Sequence, residues 1–283
     1  MTISVIQLGL VDYATGLRMQ QQLVELRKGG QIGDVLLLLE HTPVITLGRN
    51  AKAGNILASP EQLSRRGVEV FDTDRGGDVT FHGLGQLVGY PIFDLRGFPR
   101  HASDAALRRT ARSAQEELTP WSPTDRKTLG AIDYVRRLEE VLIRTCADFR
   151  IPAERVKGLT GVWTQSLSTT QQAKIAAIGV HISRGVTSHG FALNVNTDLR
   201  YFDLIVPCGI TSKSVTSIAK ELGCEVGVAS VAESLVKTFA HVFDREIVRV
   251  HTIDELLGNK VGIPMQAPRE LRQLHREPEN SIA

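Results

Sequence analysis

Two residues in the second half of the sequence carry side chains that could perform nucleophilic chemistry. Lys174 opens an otherwise apolar run that ends at Gly179, and Cys208 lies between Pro207 and Gly209. A lysine is seldom buried without a partner or a role, whereas a cysteine in such a turn has a chance of being accessible. A neighbouring base or cation raises the small thiolate fraction that a free cysteine has at neutral pH. The pair therefore suggests a nucleophile, Cys208, with Lys174 as its activator.

The chemistry leaves two roles open for Lys174. As a neutral amine it would take the proton of the thiol, and as an ammonium it would stabilise the thiolate electrostatically. A purely structural interpretation also exists, in which Lys174 extends from a strand end towards solvent and Cys208 is a small apolar residue of a turn. Taken alone, the two residues favour this structural interpretation.

A second stretch of the sequence, residues 75–95, favours the functional interpretation of Lys174 and Cys208 instead. Residues 75–95 read RGGDVTFHGLGQLVGYPIFDL, which places five glycines around His82 ahead of a strand. Glycine lets the backbone approach a ligand closely, and the histidine ring can titrate near neutral pH. The stretch closely resembles the RGG-x-VT-[YF]-HG-x-GQ signature of the lipoyl(octanoyl) transferases, which share a fold with lipoate and biotin protein ligases. The resemblance continues in GVW, KIAAIGVHISRGVTSHGFALNVNTDL and PCGI, and it covers most of residues 5–245.

The resemblance implies an acyltransferase that works by covalent catalysis. In that family the lysine of KIA and the cysteine of PCGI form the catalytic dyad, which falls on Lys174 and Cys208, 34 residues apart. Cys208 would accept an octanoyl group from octanoyl-acyl carrier protein as a thioester. A lysine of a lipoyl domain would then take the octanoyl group, in the first step of lipoate biosynthesis. The acceptors implied are the lipoyl domains of 2-oxoacid dehydrogenase complexes and the glycine cleavage H protein, and neither a cofactor nor a metal is expected.

The resemblance also implies which residues bind the acyl substrate. One group is the glycine-rich loop with the strand after it: Arg75, Gly76, Gly77, Asp78, Val79, Thr80, Phe81 and His82. The other group comes from two later strand segments: Ala177, Ile178, Gly179, Gly190, Phe191 and Ala192. Three positions depart from the usual pattern, with Asp78 in place of glutamine, Phe81 in place of tyrosine and Leu84 in place of proline. These departures put the hydrogen bonding of the loop in question but leave the dyad untouched.

Several alternatives stay open at this point. An ATP-dependent lipoate or biotin protein ligase on the same fold would leave Cys208 idle, and a non-catalytic binding protein would explain the altered loop. His82 is a rival activator of the thiol, although we assign it to positioning the loop. Arg75 is interpreted as positioning the loop or the substrate rather than forming a simple salt bridge.

Composition restricts the class of protein. The chain has 283 residues with 42% hydrophobic and 23% charged residues, values typical of a globular protein. Its net charge of +2 gives no electrostatic case for binding nucleic acid. Three cysteines without CxxC spacing argue against a disulfide framework or a structural zinc site. The sequence contains neither a secretory signal nor a long apolar run, so we expect a cytoplasmic protein without a membrane segment.

The elements that must position these residues alternate between helix and strand, which is typical of an α/β or α+β domain. That this is the mixed-sheet fold of the lipoate and biotin protein ligases is implied by the resemblance alone. We expect a catalytic domain over residues 1–250, with a polar insertion at 97–130 that carries a possible helix at 103–118. Residues 251–283 are expected to be an extension with little core, disordered at its end.

Local signals predict several elements directly. Helices are expected from Tyr13 to Arg27, from the Ser59 cap to before Gly67, and over 131–149 and 216–222. Ser230 with Glu233 reads as a capping box that starts the last core helix. The helix over 131–149 has apolar residues at helical spacing, namely Ile132, Val135, Leu138, Leu142 and Cys146. Cys146 is therefore interpreted as a packing thiol, and Cys224 as inert. His41 and His181 are interpreted as structural, whereas His189 is a candidate for lining the site.

Overall fold

The computed structural model describes residues 1–99, 128–165, 172–207 and 214–258. In this part of the chain the helices are α1 (Tyr13–Lys28), α2 (Pro60–Arg65), α3 (Ala131–Asp148), α4 (Ile218–Leu222), α5 (Val228–Phe243) and α6 (Ile253–Gly258). The first six strands are β1 (Thr2–Val11), β2 (Asp34–His41), β3 (Val44–Leu47), β4 (Glu69–Asp72), β5 (Val79–His82) and β6 (Gln86–Ile92). The others are β7 (Ala153–Val156), β8 (Leu159–Gln165), β9 (Gln172–Ser183), β10 (Val186–Asn194), β11 (Ser214–Val215) and β12 (Glu246–Arg249).

A large mixed sheet organises the molecule. The described strands follow the order β12-β1-β2-β6-β10-β9-β8-β7, and β11 pairs with β9. The pairs of β1 with β12 and β2 are parallel, as is the pair of β11 with β9, while the remaining pairs are antiparallel. The apolar run of β2 is buried on both faces because helices cover both sides of this sheet. The fold is therefore a mixed α/β architecture, as the sequence predicted.

Helices α3 and α5 pack on one face of the sheet. Leu138 and Leu142 from α3 and Leu235 and Phe239 from α5 join strand residues such as Phe191 in one core. Burying each such side chain contributes about 1.5–3 kcal/mol. Cys146 is fully buried there, and burial raises the pKa of its thiol to about 12. This confirms the prediction that Cys146 is a packing thiol.

The predicted apolar stripe of α3 is wrong at its first position. Ile132 is 63% exposed, whereas Asp133 and Tyr134 in the same first turn are buried, so Ile132 lies on the side of the helix that faces away from the core. The buried face of the helix thus passes through Tyr134, Leu138 and Val141 and not through Ile132.

Helices α1 and α6 cover the opposite face of the sheet. Met19 and Leu23 from α1 and Ile253 and Leu256 from α6 pack against apolar residues of β2 and β6. The core thus continues past residue 250 as far as Leu257, further than the sequence indicated, since the apolar residues of a short helix fill the gap beside α1. Residues 259–283 and most of the predicted insertion, including its helix at 103–118, lie outside the described residues. The two ends of that insertion meet where Pro99 pairs with Thr128.

Three local predictions, one of a hairpin and two of helix caps, have different outcomes. Arg184 and Gly185 both adopt positive φ and join β9 to β10, which confirms the predicted hairpin. The predicted capping box at Ser230 is wrong, because α5 begins at Val228 after Gly227 and has no side-chain cap. The predicted cap of α2 is correct, since Ser59 accepts from the backbone amide of Gln62.

A smaller sheet holds the glycine-rich loop. Its strands follow the order β4-β3-β5, and the loop at 73–78 connects β4 to β5. A third core, which includes Ile45, Val79, Phe81 and Phe202, lies against this sheet. Among the described residues, none of the helices combines the length and apolar character that a membrane crossing requires.

Candidate active site

A cavity of about 320 Å³ lies between the larger sheet and the glycine-rich loop. Its floor consists of small residues on two paired strands, where Ala177 of β9 faces Ala192 of β10 and Gly179 faces Gly190. The loop forms its roof, and Lys174 forms part of its wall. Thirteen of the predicted site residues line this cavity: Arg75, Gly76, Gly77, Asp78, Thr80, His82, Lys174, Ala177, Ile178, Gly179, Gly190, Phe191 and Ala192.

The loop lies directly on the floor of the cavity. The backbone amide of Gly76 donates to the carbonyl oxygen of Val180 at 3.0 Å. A Cβ atom on Gly179 would lie 2.7 Å from the carbonyl oxygen of Gly76, closer than real side chains approach. Glycine at 179 is therefore required for the loop to close over the sheet.

Arg75 fixes the shape of the loop. Its Nη2 donates to the carbonyl oxygens of Thr46 and Asp78, each at 2.6 Å, and its Nη1 donates to the carbonyl oxygen of Gly76 at 3.0 Å. The guanidinium is only 7% exposed, so these bonds form away from competing water. Arg75 thus holds the loop in position, which is one of the roles that the sequence suggested.

Asp78 is integrated into the loop in spite of its unusual charge. Its carboxylate accepts from the side-chain amide of Asn55 at 2.6 Å and from the backbone amides of Val79 at 2.8 Å and Lys52 at 3.3 Å. The carboxylate therefore ties the loop to the segment that follows β3. The hydrogen bonding that the sequence put in question is complete at this position.

Two residues of the predicted substrate loop do not face the cavity. Val79 and Phe81 alternate along β5 with Thr80 and His82, and consecutive strand residues point to opposite faces. Phe81 is 1% exposed and stacks on Tyr201, with ring centroids 4.7 Å apart. The assignment of all eight loop residues to one pocket is thus corrected at these two positions, which belong to the third core.

His82 lies in a buried hydrogen-bond network. The side-chain amide of Gln86 donates from Nε2 to the carbonyl oxygen of Phe81 and to Oδ1 of Asn194, which fixes its orientation. Gln86 Oε1 therefore faces His82 Nδ1 at 2.8 Å, and this nitrogen carries the proton. Burial, with smaller effects of His41 and Arg75, lowers the pKa of His82 to about 3. A neutral ring held on both sides suits a positioning residue better than an activator of a thiol.

His41 is satisfied locally, as the sequence suggested. Its Nδ1 lies 2.7 Å from the carbonyl oxygen of Val11 and its Nε2 lies 2.6 Å from the hydroxyl of Tyr90. Burial lowers the pKa of this histidine to about 4. Tyr13 and Tyr90 line the cavity beside it, and burial raises the pKa of Tyr13 to about 12.

Two of the buried histidines, His41 and His82, predict a pH-dependent stability. Their pKa values fall on folding from 6.5 to about 4 and about 3, so below pH 6.5 the unfolded chain binds protons that the folded chain does not. The free energy of unfolding should therefore decrease as the pH is lowered from about 6.5 towards 4, by up to about 1.4 kcal/mol per pH unit for each histidine. Urea unfolding followed by circular dichroism at several pH values would measure this dependence.

The variant His41→Gln provides the control for this prediction. Its slope of stability against pH should be smaller by about one bound proton between about pH 6.5 and 5. An unchanged slope in this variant would show that His41 does not have the lowered pKa.

His189 lines the cavity, as the sequence suggested, and adopts an unusual backbone conformation. Its φ of 54° lies in the left-handed region in the middle of β10, and its backbone amide donates to Gln20 Oε1 at 2.7 Å. Its Nε2 lies 2.6 Å from a carboxylate oxygen of Asp74, at the start of the loop. His181 contacts Arg49 at the surface of the same region, which agrees with its structural interpretation.

Lys174 lies at the wall of the cavity and is only 7% exposed. Its Nζ is 4.8 Å from the centre of the Trp163 ring, an arrangement in which an ammonium is attracted to the aromatic face. Gly161 leaves room for this side chain, because a Cβ there would lie 3.4 Å from Lys174 Cε and 2.7 Å from the carbonyl oxygen of Ala176. A buried lysine facing a cavity is suited to proton transfer or to stabilising an anion.

Cys208, the predicted nucleophile, lies outside the described residues. The chain is described up to Pro207 and again from Ser214, where β11 begins. Ser214 pairs with Ala173 and Val215 pairs with Lys174, so the segment that follows Cys208 returns to the strand of the lysine. Of the cysteines that the structure describes, Cys224 is exposed and Cys146 is buried.

Sequence reasoning missed part of the cavity wall. Tyr13, Val88, Tyr90, Leu159 and Thr160 also line it. Tyr90 could have been found, since it lies in the quoted stretch of residues 75–95, whereas Tyr13 on the first helix gave no such signal. Within the described ranges, no group of three or more histidine, cysteine, aspartate or glutamate residues could hold a metal ion.

Comparison with known proteins identifies the chain's relatives. The family model described as the lipoyl protein ligase A/B catalytic domain matches residues 12–122 and 115–240. An octanoyltransferase of Koribacter versatilis (strain Ellin345) is 53% identical, with 97% of this chain and 98% of the relative covered. An octanoyltransferase of Acidobacterium capsulatum is 50% identical, with 91% and 96% covered.

Solved structures agree at the level of the fold. A bipartite lipoate protein ligase from Thermoplasma acidophilum has a TM-score of 0.63 at 14% identity and covers 99% of each chain. A lipoate-protein ligase A bound with ATP also has a TM-score of 0.63, at 12% identity, with 92% of this chain and 94% of that chain covered. These likenesses confirm the predicted ligase-like fold.

Proposed function

Because the chain belongs to the octanoyltransferase family with the lipoyl protein ligase A/B catalytic domain, we propose that it transfers octanoyl groups through a thioester on Cys208. As an octanoyltransferase it is an acyltransferase of lipoate biosynthesis. The proposed donor is octanoyl-acyl carrier protein. The proposed acceptors are lysines in the lipoyl domains of 2-oxoacid dehydrogenase complexes and in the glycine cleavage H protein.

The position of Lys174 is the observation that carries this proposal. Its side chain is buried at the wall of a cavity with a floor of alanine and glycine, on which an apolar chain can lie. The strand that follows Cys208 in sequence pairs directly with Lys174. An acyl chain in the cavity would place its carbonyl carbon next to Lys174. The proposed reaction requires the Cys208 thiol at that point, because the thiol attacks this carbon.

The proposed reaction has two steps, acyl transfer to Cys208 and acyl transfer from Cys208 to the acceptor lysine. In the first, Lys174 takes the proton of Cys208, and the thiolate attacks the carbonyl carbon of the donor thioester. The bond from that carbon to the donor sulfur breaks, and the donor thiol leaves with a proton. In the second, the amine of the acceptor lysine attacks the enzyme thioester and gives up a proton, an amide forms, and the Cys208 thiol is released. Backbone N–H groups near the glycine-rich loop stabilise the oxyanion in each step, which is worth about 10²–10³ in rate per donor.

The experiment that tests this function compares two acyl donors. The donor thioester is already activated, so octanoyl-acyl carrier protein should support transfer to a lipoyl domain without ATP. Free octanoate with ATP should support none. Product from octanoate and ATP alone would instead identify a ligase, and binding of the carrier protein without turnover would identify a non-catalytic protein.

Filling the floor of the cavity should impair octanoyl transfer. In Ala177→Leu the larger side chain enters the space between the loop and the sheet, so an acyl chain no longer fits at full length. We expect kcat/KM for the octanoyl donor to fall by about 10–200-fold, and less for a shorter acyl donor. Steady-state kinetics with donors of different chain length would measure both effects.

Ala229→Leu is the matched control, since Ala229 lies exposed on α5 and outside this cavity. It should leave transfer of both donors unchanged. Equal loss for short and long donors in Ala177→Leu would show that the acyl chain lies elsewhere.

A further inference from the structure

The junction between three strands beside Lys174 contains a buried side-chain network that the reaction scheme does not use. Strand β10 ends at Asn194, and Leu193 is paired with Ala176 of β9. At Lys174, two residues earlier on β9, the place of β10 is taken by β11. On this side Lys174 is therefore held by a two-residue strand, which has few backbone hydrogen bonds of its own.

Asn194 joins the two strands at this junction. Its Nδ2 donates to the carbonyl oxygen of Thr216 at 2.9 Å, and the backbone amide of Thr216 donates to the carbonyl oxygen of Lys174 at 2.9 Å. Asn194 is 4% exposed and Thr216 is fully buried, so water cannot replace these bonds. The side chain thus supplies the support that a longer strand would have provided.

Gln86 fixes the orientation of the Asn194 side chain through a hydrogen bond. Its Nε2 donates to Asn194 Oδ1 at 2.9 Å, across 108 residues of sequence, and its Oε1 faces His82. His82 Nε2 in turn lies 3.5 Å from Thr46 Oγ1, which accepts from the guanidinium of Arg75. A continuous chain of buried polar groups therefore runs from the loop over the cavity to the backbone of Lys174.

We propose that Asn194, supported by Gln86, is a positioning residue that holds β11 against Lys174 and so fixes the lysine at the cavity wall. The proposal rests on the proposed function for the role of Lys174. Gln86 and Asn194 both belong to the sequence motifs, but neither lines the acyl cavity nor takes part in the proposed reaction steps. The proposal assigns them a positioning role. Because a misplacement of about 1 Å can cost about 10²-fold in rate, loss of this support should slow the chemical step.

The test compares two Asn→Leu substitutions, one at this junction and one away from it. Asn194→Leu keeps the number and branching of the side-chain heavy atoms but removes both hydrogen bonds. Asn196→Leu removes two hydrogen bonds to the backbone of Val226, and nothing in its contacts reaches β11. Hydrogen exchange of the Thr216 amide reports the contact with Lys174, and steady-state kinetics reports the rate of octanoyl transfer.

For Asn194→Leu we expect the Thr216 amide to exchange at least about tenfold faster. We also expect kcat to fall by about 10–100-fold with KM little changed, since the acyl cavity stays intact. Asn196→Leu should lose comparable thermal stability without either effect. Should Asn194→Leu fail to fold, Gln86→Met removes the support behind Asn194 and should change exchange and kcat in the same direction.

Three results would overturn the proposal: unchanged exchange at Thr216 in Asn194→Leu, faster exchange with unchanged kcat, or equal losses in Asn194→Leu and Asn196→Leu. Failure of the proposed function would be visible separately, as absence of octanoyl transfer in the unsubstituted protein. In that case the exchange rates of the two variants would still decide whether Asn194 holds β11 against Lys174.

Discussion

Replacing Cys208 with serine should abolish turnover, with a loss in kcat of about 10³-fold or more. The reason is that the thiolate would form the covalent intermediate, and a serine hydroxyl at neutral pH is a far weaker nucleophile than a thiolate. Transfer of octanoyl groups from octanoyl-acyl carrier protein to a lipoyl domain, followed by mass spectrometry of the acceptor, would measure the loss. Because serine differs from cysteine only in one side-chain atom, affinity for the donor should be retained.

The other cysteines provide the controls. Cys224 is exposed and Cys146 is buried in the core, and neither takes part in the scheme. Cys224→Ser should therefore transfer octanoyl groups at the unsubstituted rate. Substantial turnover by Cys208→Ser would leave this cysteine without a role and would favour a ligase-type reaction.

Replacing Lys174 with methionine should lower kcat by about 10²–10⁴-fold, the usual contribution of a proton-transferring side chain. Methionine fills a similar volume beside Trp163 but carries neither a charge nor a base. The effect should extend to the thiol itself, so alkylation of Cys208 by iodoacetamide in a Cys224→Ser background should become slower. Rates of alkylation and of octanoyl transfer would be measured over a range of pH.

Two further variants, Lys174→Arg and His82→Gln, distinguish a base from an ammonium at Lys174 and test His82 as the alternative activator of the thiol. Lys174→Arg retains the positive charge but no usable base, so it should restore alkylation only if Lys174 acts as an ammonium. Lys237→Met, an exposed position on α5, is the matched control and should behave as the unsubstituted protein. Loss of thiol reactivity in His82→Gln but not in Lys174→Met would assign activation of the thiol to His82.

Local sequence signals predicted the elements whose determinants lie close together in the chain. The hairpin at Arg184 and Gly185, the cap at Ser59 and the buried strand β2 each depend on a few adjacent residues. The cap predicted at Ser230 failed because Gly227 allows the helix to begin earlier, which makes the serine an interior residue. A capping pattern can therefore be assigned correctly only when the residues just before it are also considered, since they decide where the helix begins.

The site was predicted as a set of residues but not as an arrangement. The motif grouped Val79 and Phe81 with Thr80 and His82, although a strand must send alternate side chains to opposite faces. Knowing which pair faces the cavity requires the position of the second sheet. Likewise, the bond between Gln86 and Asn194 joins residues far apart in sequence, and only the folded sheet brings them together.

Intact-mass spectrometry after mixing the protein with octanoyl-acyl carrier protein, without ATP and without acceptor, tests the central claim most directly. The account predicts a protein species heavier by one octanoyl group, located on Cys208 by peptide mapping and absent from Cys208→Ser. An unmodified protein that nevertheless transfers octanoyl groups once a lipoyl domain is added would contradict the thioester mechanism.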